Sequence, residues 1–298
     1  MKHIFIVNPK AGKKDSSEYI KSILEKRTDI DYIIYNTKSS GDATRYVKEI
    51  LDNDKINQYR FYACGGDGTV NEVVNGLVFH DNASFTVFPC GSGNDFVKAS
   101  RRDFTDINAL IDGEEQMIDL IKVSDKYSVN IVNAGFDAAV AHKMVKFKRW
   151  PLVSGKMAYN IAIVACLLKE MKHKGKIYVD GELVFDGKFL LSASCNGICC
   201  GGSFYFAPDA LIDNGLIEQL IVKKISRFTF IGAVKYIKRG TYKQNRKLDK
   251  YLYTCQCKKI RIETEKNFVY AVDGETFETK SLELEIVNKL VKFVRPKV

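Results

Sequence analysis

The stretch Ala63-Cys64-Gly65-Gly66-Asp67-Gly68-Thr69-Val70-Asn71-Glu72 decides the fold, because it joins a strand-like segment to a helix-like segment. Apolar residues lead into it as in a strand, and apolar residues follow it at helical spacing. The latter are Val70, Val73, Val74 and Leu77. Glycines at such a junction leave backbone amides bare at a helix N-terminus, which favours a bound phosphate. The alternative is a simple helix cap, since Thr69 and Glu72 have capping-box spacing, but a cap leaves the three glycines unexplained.

The same alternation of strand and helix extends outward from this junction to the N-terminus and on to Asp119. The predicted strands are Ile4–Asn8, Tyr32–Asn36, 59–63 and Phe85–Pro89, and the predicted helices around the junction are 17–26, 42–51 and the one that follows Gly68. This alternation predicts a parallel sheet covered by helices, in which ligands bind at the carboxyl ends of the strands. The unusual loops 8–13, 37–42, 65–69 and 90–95 all fall at those ends. Their coincidence indicates a ligand site more strongly than any single motif.

After Asp119 the pattern changes to short alternating runs separated by turn pairs such as Asn214-Gly215 and Asp273-Gly274. The runs are 127–133, 176–179, 183–195, 216–222, 259–263, 268–272 and 282–287. They predict a mostly antiparallel second domain, with helices near Met157–Lys172 and Phe228–Arg239. Residues 289–298 are expected to return to the first domain. Two domains imply a cleft between them.

Length and composition indicate an ordinary globular chain, with 298 residues of which 46% are hydrophobic. The first apolar run is too short for a signal peptide, and Ala158–Leu168 is about half the length that spans a bilayer. We therefore expect a soluble, cytoplasmic protein. The eight cysteines lack the paired spacing of a zinc site, so reduced thiols are predicted.

The formal charge of +10 is concentrated in two segments. Between His142 and Lys176, Glu170 is the only acidic residue among nine basic ones, and between Lys223 and Arg261 only Asp249 is acidic. Such surfaces attract nucleic acid, anionic lipid or nucleotide phosphates, or are simply solvated. The first segment also contains Phe147, Trp150, Pro151, Leu152 and Val153. Cations mixed with a tryptophan and aliphatic residues are typical of an interfacial membrane contact, which favours lipid.

Phosphoryl transfer needs an acid–base group for the acceptor hydroxyl and positive charge on the phosphates. Carboxylates on turns are the candidates, namely Asp67, Asp95, Asp119, Asp209, Asp213, Asp273 and Glu275. Asp273-Gly274 alone is a weak signal, because Asp-Gly after a strand is most often a hairpin turn. Neither a G-x-x-x-x-G-K-[ST] loop nor the H-R-D and D-F-G motifs of protein kinases are present, which excludes those classes.

Five blocks taken together resemble the soluble bacterial diacylglycerol kinase family, which includes broader bacterial lipid kinases and is related to sphingosine and ceramide kinases. The blocks are Asn8-Pro9-Lys10-Ala11-Gly12, Gly65-Gly66-Asp67-Gly68-Thr69-x-x-Glu72, Gly91-Ser92-Gly93-Asn94-Asp95-Phe96, Pro208-Asp209-Ala210 through Asn214-Gly215-Leu216, and Asp273-Gly274-Glu275. The glycine-rich block alone would also admit NAD kinases and phosphofructokinases. The resemblance covers essentially the whole chain.

The resemblance implies an α/β fold with an N-terminal Rossmann-like, NAD-kinase-like domain over 1–122 plus 288–298. A mostly antiparallel β-sandwich domain for the lipid substrate would occupy 123–287, with the active site in the interdomain cleft. It implies ATP and Mg²⁺ as cofactors. The residues implied for nucleotide binding are Asn8, Pro9, Lys10, Ala11, Gly12, Thr37, Gly65, Gly66, Asp67, Gly68, Thr69, Val70, Asn71, Glu72 and Ser92.

By the same match, Asp273 is the implied general base and Glu275 the neighbouring carboxylate that some members use instead. The implied active-site magnesium and water network involves Asp67, Asp95 and Asp119. A separate structural magnesium would use the turn with Leu211, Asn214 and Leu216. Asparagine stands here where aspartate is usual, so affinity for a hard cation should fall. Asp213, one residue earlier, is the alternative ligand.

The function expected from this resemblance is ATP-dependent phosphorylation of a lipid hydroxyl, with diacylglycerol as the leading acceptor and phosphatidic acid as product. Phosphatidylglycerol, a sphingoid base, a polyprenol or NAD remain alternative acceptors, although the later blocks match lipid kinases better than NAD kinases. A nucleic-acid-binding protein would leave the glycine loops unexplained. We expect peripheral contact with the anionic inner membrane face and no nucleic-acid partner, and a homodimer is a possible assembly.

Overall fold

The computed structural model describes residues 1–12, 16–100, 102–148, 150, 153, 155–169 and 171–297, with the side chains of 155, 156 and 169 excepted. The chain forms two compact units. The first contains Met1–Leu120, Ile212–Asn214 and Val287–Val298, and the second contains Ile121–Leu211 and Gly215–Ile286. Of the residues and ranges considered above, Lys13, Arg149, Pro151, Leu152, Glu170 and Val298 lie outside the described residues.

The first unit is built on a parallel sheet, as predicted. Its elements in chain order are β1 (Lys2–Val7), α1 (Ser17–Leu24), β2 (Asp31–Asn36), α2 (Asp42–Asn53), β3 (Tyr59–Gly65), α3 (Asp67–Leu77), β4 (Ala83–Pro89), α4 (Ile107–Ile111) and β5 (Glu114–Val123), with a short 3₁₀ helix at Phe96–Ala99. The parallel strands lie in the order β4-β3-β1-β2. All seven residues of β3 are buried, as expected for a strand covered on both faces.

The second unit is rich in antiparallel strands, also as predicted. Its elements are β6 (Lys126–Ser128), β7 (Ile131–Gly135), α5 (Phe136–Phe147), α6 (Gly155–Lys169), β8 (His173–Val179), β9 (Glu182–Cys195), β10 (Ile217–Lys223), α7 (Arg227–Lys238), β11 (Leu252–Cys257), β12 (Lys259–Val272) and the first part of β13 (Glu275–Arg295). From Val287 onward β13 belongs to the first unit, and from Ile121 onward β5 belongs to the second. The strands pair in the order β11-β10-β9-β7-β12-β13, and β8 pairs with β9 and β12. Within the described residues, no helix is long and apolar enough to cross a bilayer.

Alternation along β7 separates two hydrophobic cores in the second unit. Ile131 packs in a core with residues of α5, α6 and α7, whereas Val132 and Ala134 pack in a core on the opposite face. This is the two-residue period of a strand buried on both sides. The helical layer therefore rests on one face of the antiparallel sheet.

The sequence prediction missed four elements and placed one turn in the other part of the chain. Helices α4 and α5 and strands β5 and β11 were not predicted, and positions 142–147 of α5 were interpreted as part of a surface segment. The turn Ile212–Asn214 belongs to the first unit, although the predicted boundary placed it in the second. The reason is local, since the carbonyl of Ile212 accepts a hydrogen bond of 2.7 Å from the amide of Asp119 in β5.

Candidate active site

Three of the predicted loops, at the carboxyl ends of β1, β3 and β4, lie against one another. A Cβ placed on Gly91 would lie 2.5 Å from the Cα of Gly66, and a Cβ on Gly12 would collide with the carbonyl oxygen of Cys90. The amides of Cys90 and Gly91 donate to the carbonyl of Gly65 at 2.9 and 3.2 Å. The loops thus pack backbone against backbone, which only glycine allows at such distances.

Helix α3 begins at this junction with a glycine, which has no side chain, as its N-cap residue. Gly66 is the N-cap residue and has an extended backbone, and its carbonyl accepts from the amides of Thr69 and Val70 at 2.9 and 3.2 Å. A Cβ on Gly68 would meet no atom within 4 Å. The absent side chain at Gly68 is therefore explained by neither packing nor a left-handed backbone. An exposed helix N-terminus of this kind attracts anions.

The capping-box interpretation of Thr69 and Glu72 is wrong. The hydroxyl of Thr69 accepts from the side-chain amide of Asn8 at 3.3 Å. The carboxylate of Glu72 accepts from the amides of Gly41 and Ala43 at 2.9 and 3.2 Å, so it caps the neighbouring helix α2 instead of its own. Direct contact of Glu72 with a nucleotide stays a prediction, and its observed role is to tie α2 to α3.

Asp67 and Asp95 approach each other across the last loop. Oδ1 of Asp67 accepts from the amides of Asp95 and Phe96 at 2.6 and 3.3 Å. A Cβ on Gly93 would lie 2.7 Å from Oδ2 of Asp67 and 3.5 Å from Oδ2 of Asp95, so both carboxylates border the same point. Asp95 also pairs with Lys98 at 2.7 Å.

Asp119 sits in different surroundings from these two carboxylates. It is fully buried in β5, and its Oδ1 accepts from the amide of Lys289 at 2.7 Å. Among the described residues, no three or more His, Cys, Asp or Glu side chains are grouped to hold a metal ion. The magnesium and water network implied for Asp67, Asp95 and Asp119 therefore stays a prediction.

The turn predicted to hold a structural magnesium lies beside β5. Asp213, the alternative ligand, accepts from the side-chain amide of Gln116. Asn214 and Leu211 are both exposed, and Leu216 is half-buried. A metal at this turn remains a prediction.

The other predicted nucleotide-binding residues lie around the same strand ends. The side-chain Oδ1 of Asn8 accepts a hydrogen bond of 3.0 Å from the amide of Lys10, and its main-chain carbonyl accepts one of 3.0 Å from the amide of Ala11. The amide of Thr37 donates to Val7 at 2.8 Å. Pro9 and Ser92 are exposed and Asn71 is half-buried, whereas Val70 is buried in the core and offers only its backbone.

Asp273 is at once a hairpin turn residue and a heavily bonded carboxylate. Asp273 and Gly274 have φ of 46° and 93° and join β12 to β13, where Val272 pairs with Glu275. Oδ1 accepts from Ser128 Oγ at 2.7 Å and from the amides of Asn130 and Ile131 at 3.1 and 2.9 Å. Oδ2 accepts from the amide of Val129 at 2.9 Å. The turn carboxylate thus holds the segment that enters β7.

Glu275, the other predicted carboxylate, is exposed and pairs with Lys126 at 2.8 Å. The Lys126 ammonium also lies 4.4 Å from the centroid of the Phe277 ring. The two carboxylates of the Asp-Gly-Glu block therefore have different environments, since Asp273 is held by backbone amides and a hydroxyl, and Glu275 by the ammonium group of Lys126.

Buried polar residues near the start of α5 were missed by the sequence prediction. Oδ1 of Asn133 and Oδ1 of Asp137 are buried and accept no hydrogen bond within the described structure. Burial raises the pKa of Asp137 to about 7, against hydrogen bonds from the backbone and Asn133 that favour the carboxylate. The available signal was an asparagine and an aspartate within the otherwise apolar run Ile131–Val140, at a strand-to-helix junction with a glycine.

Comparison with known proteins matches each of the two parts of the chain to a known domain. Residues 2–123 match the diacylglycerol kinase catalytic domain, and residues 130–295 match the YegS C-terminal NAD kinase beta sandwich-like domain. A probable lipid kinase YegS-like protein of Shewanella frigidimarina is 30% identical over 240 residues, covering 78% of this chain and 75% of that protein. A diacylglycerol kinase of Bacillus subtilis is 28% identical over 278 residues, covering 91% and 88%.

Solved structures support the same fold. A putative diacylglycerol kinase from Bacillus anthracis superposes with a TM-score of 0.75 at 24% identity, covering 98% of this chain and 97% of that one. An NAD kinase from Archaeoglobus fulgidus superposes with a TM-score of 0.51 at 12% identity, covering 99% and 94%. The predicted NAD-kinase-like α/β fold with an antiparallel β-rich second part is confirmed.

Proposed function

The chain belongs to the bacterial diacylglycerol and lipid kinase family, and we propose that this kinase transfers the γ-phosphate of ATP to a hydroxyl of diacylglycerol, yielding phosphatidic acid. The observation that carries the proposal is the convergence of three loops on the bare N-terminus of α3. A Cβ on Gly68 would meet no neighbouring atom, so neither packing nor backbone strain explains why this position is a glycine. A phosphate chain lying against the helix start would account for it.

Asp67 and Asp95 are the residues that would hold a magnesium ion. Mg²⁺ is usually bound through one or two carboxylates together with substrate phosphates and water, which suits a pair of carboxylates bordering one point. When bound, the ion neutralises charge on the phosphate oxygens. The amides of Asp95 and Phe96 fix the orientation of Asp67 through its Oδ1 and leave Oδ2 on the side of Gly93.

Asp273 is the proposed base for the acceptor hydroxyl. The hydroxyl oxygen forms a bond to the γ-phosphorus while the bond to the β–γ bridging oxygen breaks, and ADP leaves with that electron pair. The hydroxyl proton passes to the Asp273 carboxylate. Four hydrogen bonds, three of them from backbone amides, hold this carboxylate in one orientation, as a positioned base requires.

An apolar acceptor would be met at a membrane surface, and the basic segment 142–176 supports peripheral contact with anionic lipid. Lys143 and Lys146 lie on α5, and Trp150 packs edge-on against Phe147 with ring centroids 5.0 Å apart. The proposed location is the cytoplasmic face of the membrane. The charge and the exposed tryptophan support this location.

The test is transfer of labelled γ-phosphate from ATP to a panel of purified lipids and to NAD. Diacylglycerol, phosphatidylglycerol, a sphingoid base and a polyprenol are assayed in parallel, and we expect diacylglycerol to be labelled fastest. Asp273→Asn should abolish transfer while ATP binding survives, and it should also lower thermal stability, because the amide nitrogen of asparagine cannot accept a hydrogen bond from the backbone as the carboxylate does. Transfer at full rate in this variant would refute the assignment of Asp273 as the base. Labelling of NAD alone would refute a lipid acceptor.

A further inference from the structure

Helix α6 has exposed apolar residues on its outer face, alongside the exposed Asn160, as well as buried ones on its inner face. Met157–Leu168 contains no charged residue. Ala158, Ala162 and Cys166 are buried in the core, yet Val164 and Leu168 on the opposite side are 58% and 66% exposed. A surface helix normally places polar residues on its solvent face, so an exposed apolar stripe indicates a partner.

The start of α7 extends this exposed surface. Its inner residues Ala233 and Ile237 are buried, whereas Phe228 and Ile231 are 89% and 61% exposed. The guanidinium of Arg227 donates to the carbonyls of Leu167 and Leu168 at 2.7 and 3.1 Å, which brings the start of α7 to the end of α6. The outward side chains of the two helices therefore form one surface, the apolar patch. It consists of Val164, Leu168, Phe228 and Ile231.

Lysines lie close to both helices of the apolar patch along the chain. A cavity of about 640 Å³ is lined by Lys143, Lys146, Lys172, Lys174, Lys188 and Lys266, together with only two acidic residues. A second hollow of about 490 Å³ shares Lys174 and Lys188 and adds Lys223 and Lys224. Lys172 follows Leu168 by four residues, and the amide of Lys224, two residues before Ser226 at the start of α7, donates to Lys188 at 2.8 Å. We call these eight lysines the lysine border.

We propose that the apolar patch and the lysine border dock together on the surface of an anionic phospholipid bilayer. Leu168, Phe228 and Ile231 insert below the head groups, and the lysine-lined cavity receives a lipid phosphate. The proposal rests on the proposed function in that a lipid kinase must reach an acceptor confined to a membrane. It extends the contact from the basic segment that contains Trp150 to the outward face of α6 and α7.

Charge favours a bilayer over a second copy of the chain as the occupant. Two copies paired through this face would bring their lysine borders together in a chain whose formal charge is already +10. An anionic membrane offers the opposite sign, and each lysine near its surface adds to the attraction. Apolar insertion and lysine attraction together give the two contributions that stable interfacial binding requires.

The test is cosedimentation of the full chain with phosphatidylcholine vesicles that contain or lack phosphatidylglycerol. Phe228→Ser combined with Ile231→Ser should lower partitioning at least about tenfold, because two inserted side chains are lost. The matched control is Ile56→Ser, which removes an isoleucine that is 91% exposed in the first unit and should leave partitioning unchanged. Equal binding by the patch variant and the control would overturn the proposal.

Charge is tested separately with Lys172→Glu and Lys188→Glu together, against Lys26→Glu and Lys48→Glu in the first unit. The first pair should remove the preference for phosphatidylglycerol, and the second pair should retain most of it. Binding that ignores phosphatidylglycerol in the unmodified chain would overturn the proposal. A lipid-free dimer that Phe228→Ser dissociates would overturn it too, because the patch would then be occupied by a second copy.

Kinase assays separate this proposal from the proposed function. With a short-chain diacylglycerol dispersed as monomers, the patch variant should phosphorylate at the rate of the unmodified chain, and with vesicles it should be slowed at least about tenfold. Equal slowing on both substrates would overturn docking. If no lipid is phosphorylated while the vesicle-binding pattern holds, the proposed function fails and docking stands.

Discussion

Gly68→Ala is the substitution that most directly tests a phosphate site at the start of α3. A Cβ at this position would meet no atom within 4 Å, and Gly68 is absent from the residues with positive φ. Replacing such a helical glycine by alanine restricts the unfolded chain and should raise the free energy of unfolding by about 0.4–1 kcal/mol. The structure therefore predicts a variant that folds at least as well as the original.

The affinity of Gly68→Ala for ATP should fall, although its stability rises. If phosphate oxygens lie against the first amides of α3, the added methyl group occupies their place. A hydrogen bond to a charged partner contributes about 1.5–3 kcal/mol, and loss of one such bond corresponds to a rise of about 10- to 150-fold in the KM for ATP. The assay is steady-state transfer to a short-chain diacylglycerol, paired with thermal unfolding of the same samples.

Two other glycines serve as controls for Gly68→Ala. Gly232→Ala adds a methyl group at another exposed helical position with open space, so it should leave the KM for ATP unchanged. Gly91→Ala places a Cβ 2.5 Å from the Cα of Gly66, so it should lower stability and activity together. A stabilised Gly68→Ala variant with an unchanged KM for ATP would refute the placement of phosphates at this helix.

Three further substitutions test individual contacts. Ser128→Ala removes one of the donors that orient Asp273, so kcat should fall by about one order of magnitude with the KM for ATP unchanged, and an unchanged kcat would contradict that role. Glu72→Ala removes the cap of α2 and should lower the free energy of unfolding by about 1–2 kcal/mol; a raised KM for ATP without loss of stability would instead indicate nucleotide contact. Burial raises the pKa of Asp137 to about 7, so the folded chain binds a proton that the unfolded chain has lost, and stability should fall as pH rises from about 4 to 7. Asp137→Asn should flatten that part of the stability–pH curve in denaturant titrations, and identical curves would contradict the shifted pKa.

The α/β part was predictable because its signals are local. Buried parallel strands are continuously apolar, as in β3, and α3 carries its apolar residues at helical spacing. Each strand also ends in a loop of unusual composition, and the chain direction in a parallel sheet brings those ends to one edge. The contact of Gly66 with Gly91 follows from that geometry.

Helix α5 was missed because its sequence lacks a clean separation of faces. Phe136, Ala138, Ala139 and Val140 are buried almost in succession, and the following lysines line a cavity instead of covering a polar face. The resulting mixture of apolar and basic residues has the composition of an interfacial segment. Which of those residues are buried depends on the sheet beneath them, and that sheet is assembled from strands distant in sequence.

Glu72 and Asp273 show why a correctly identified motif still leaves a residue's role open. Each carboxylate accepts hydrogen bonds from backbone amides of a distant segment. Glu72 bonds to the start of α2, about thirty residues earlier. Asp273 bonds to residues 129–131, more than one hundred and forty residues earlier. Sequence spacing contains no information about such partners, because they are set by tertiary packing. Loss of activity after mutating either residue would therefore mix chemistry with structure. Only a readout that separates stability, ATP affinity and kcat can assign a catalytic role to Asp273 and a purely structural one to Glu72.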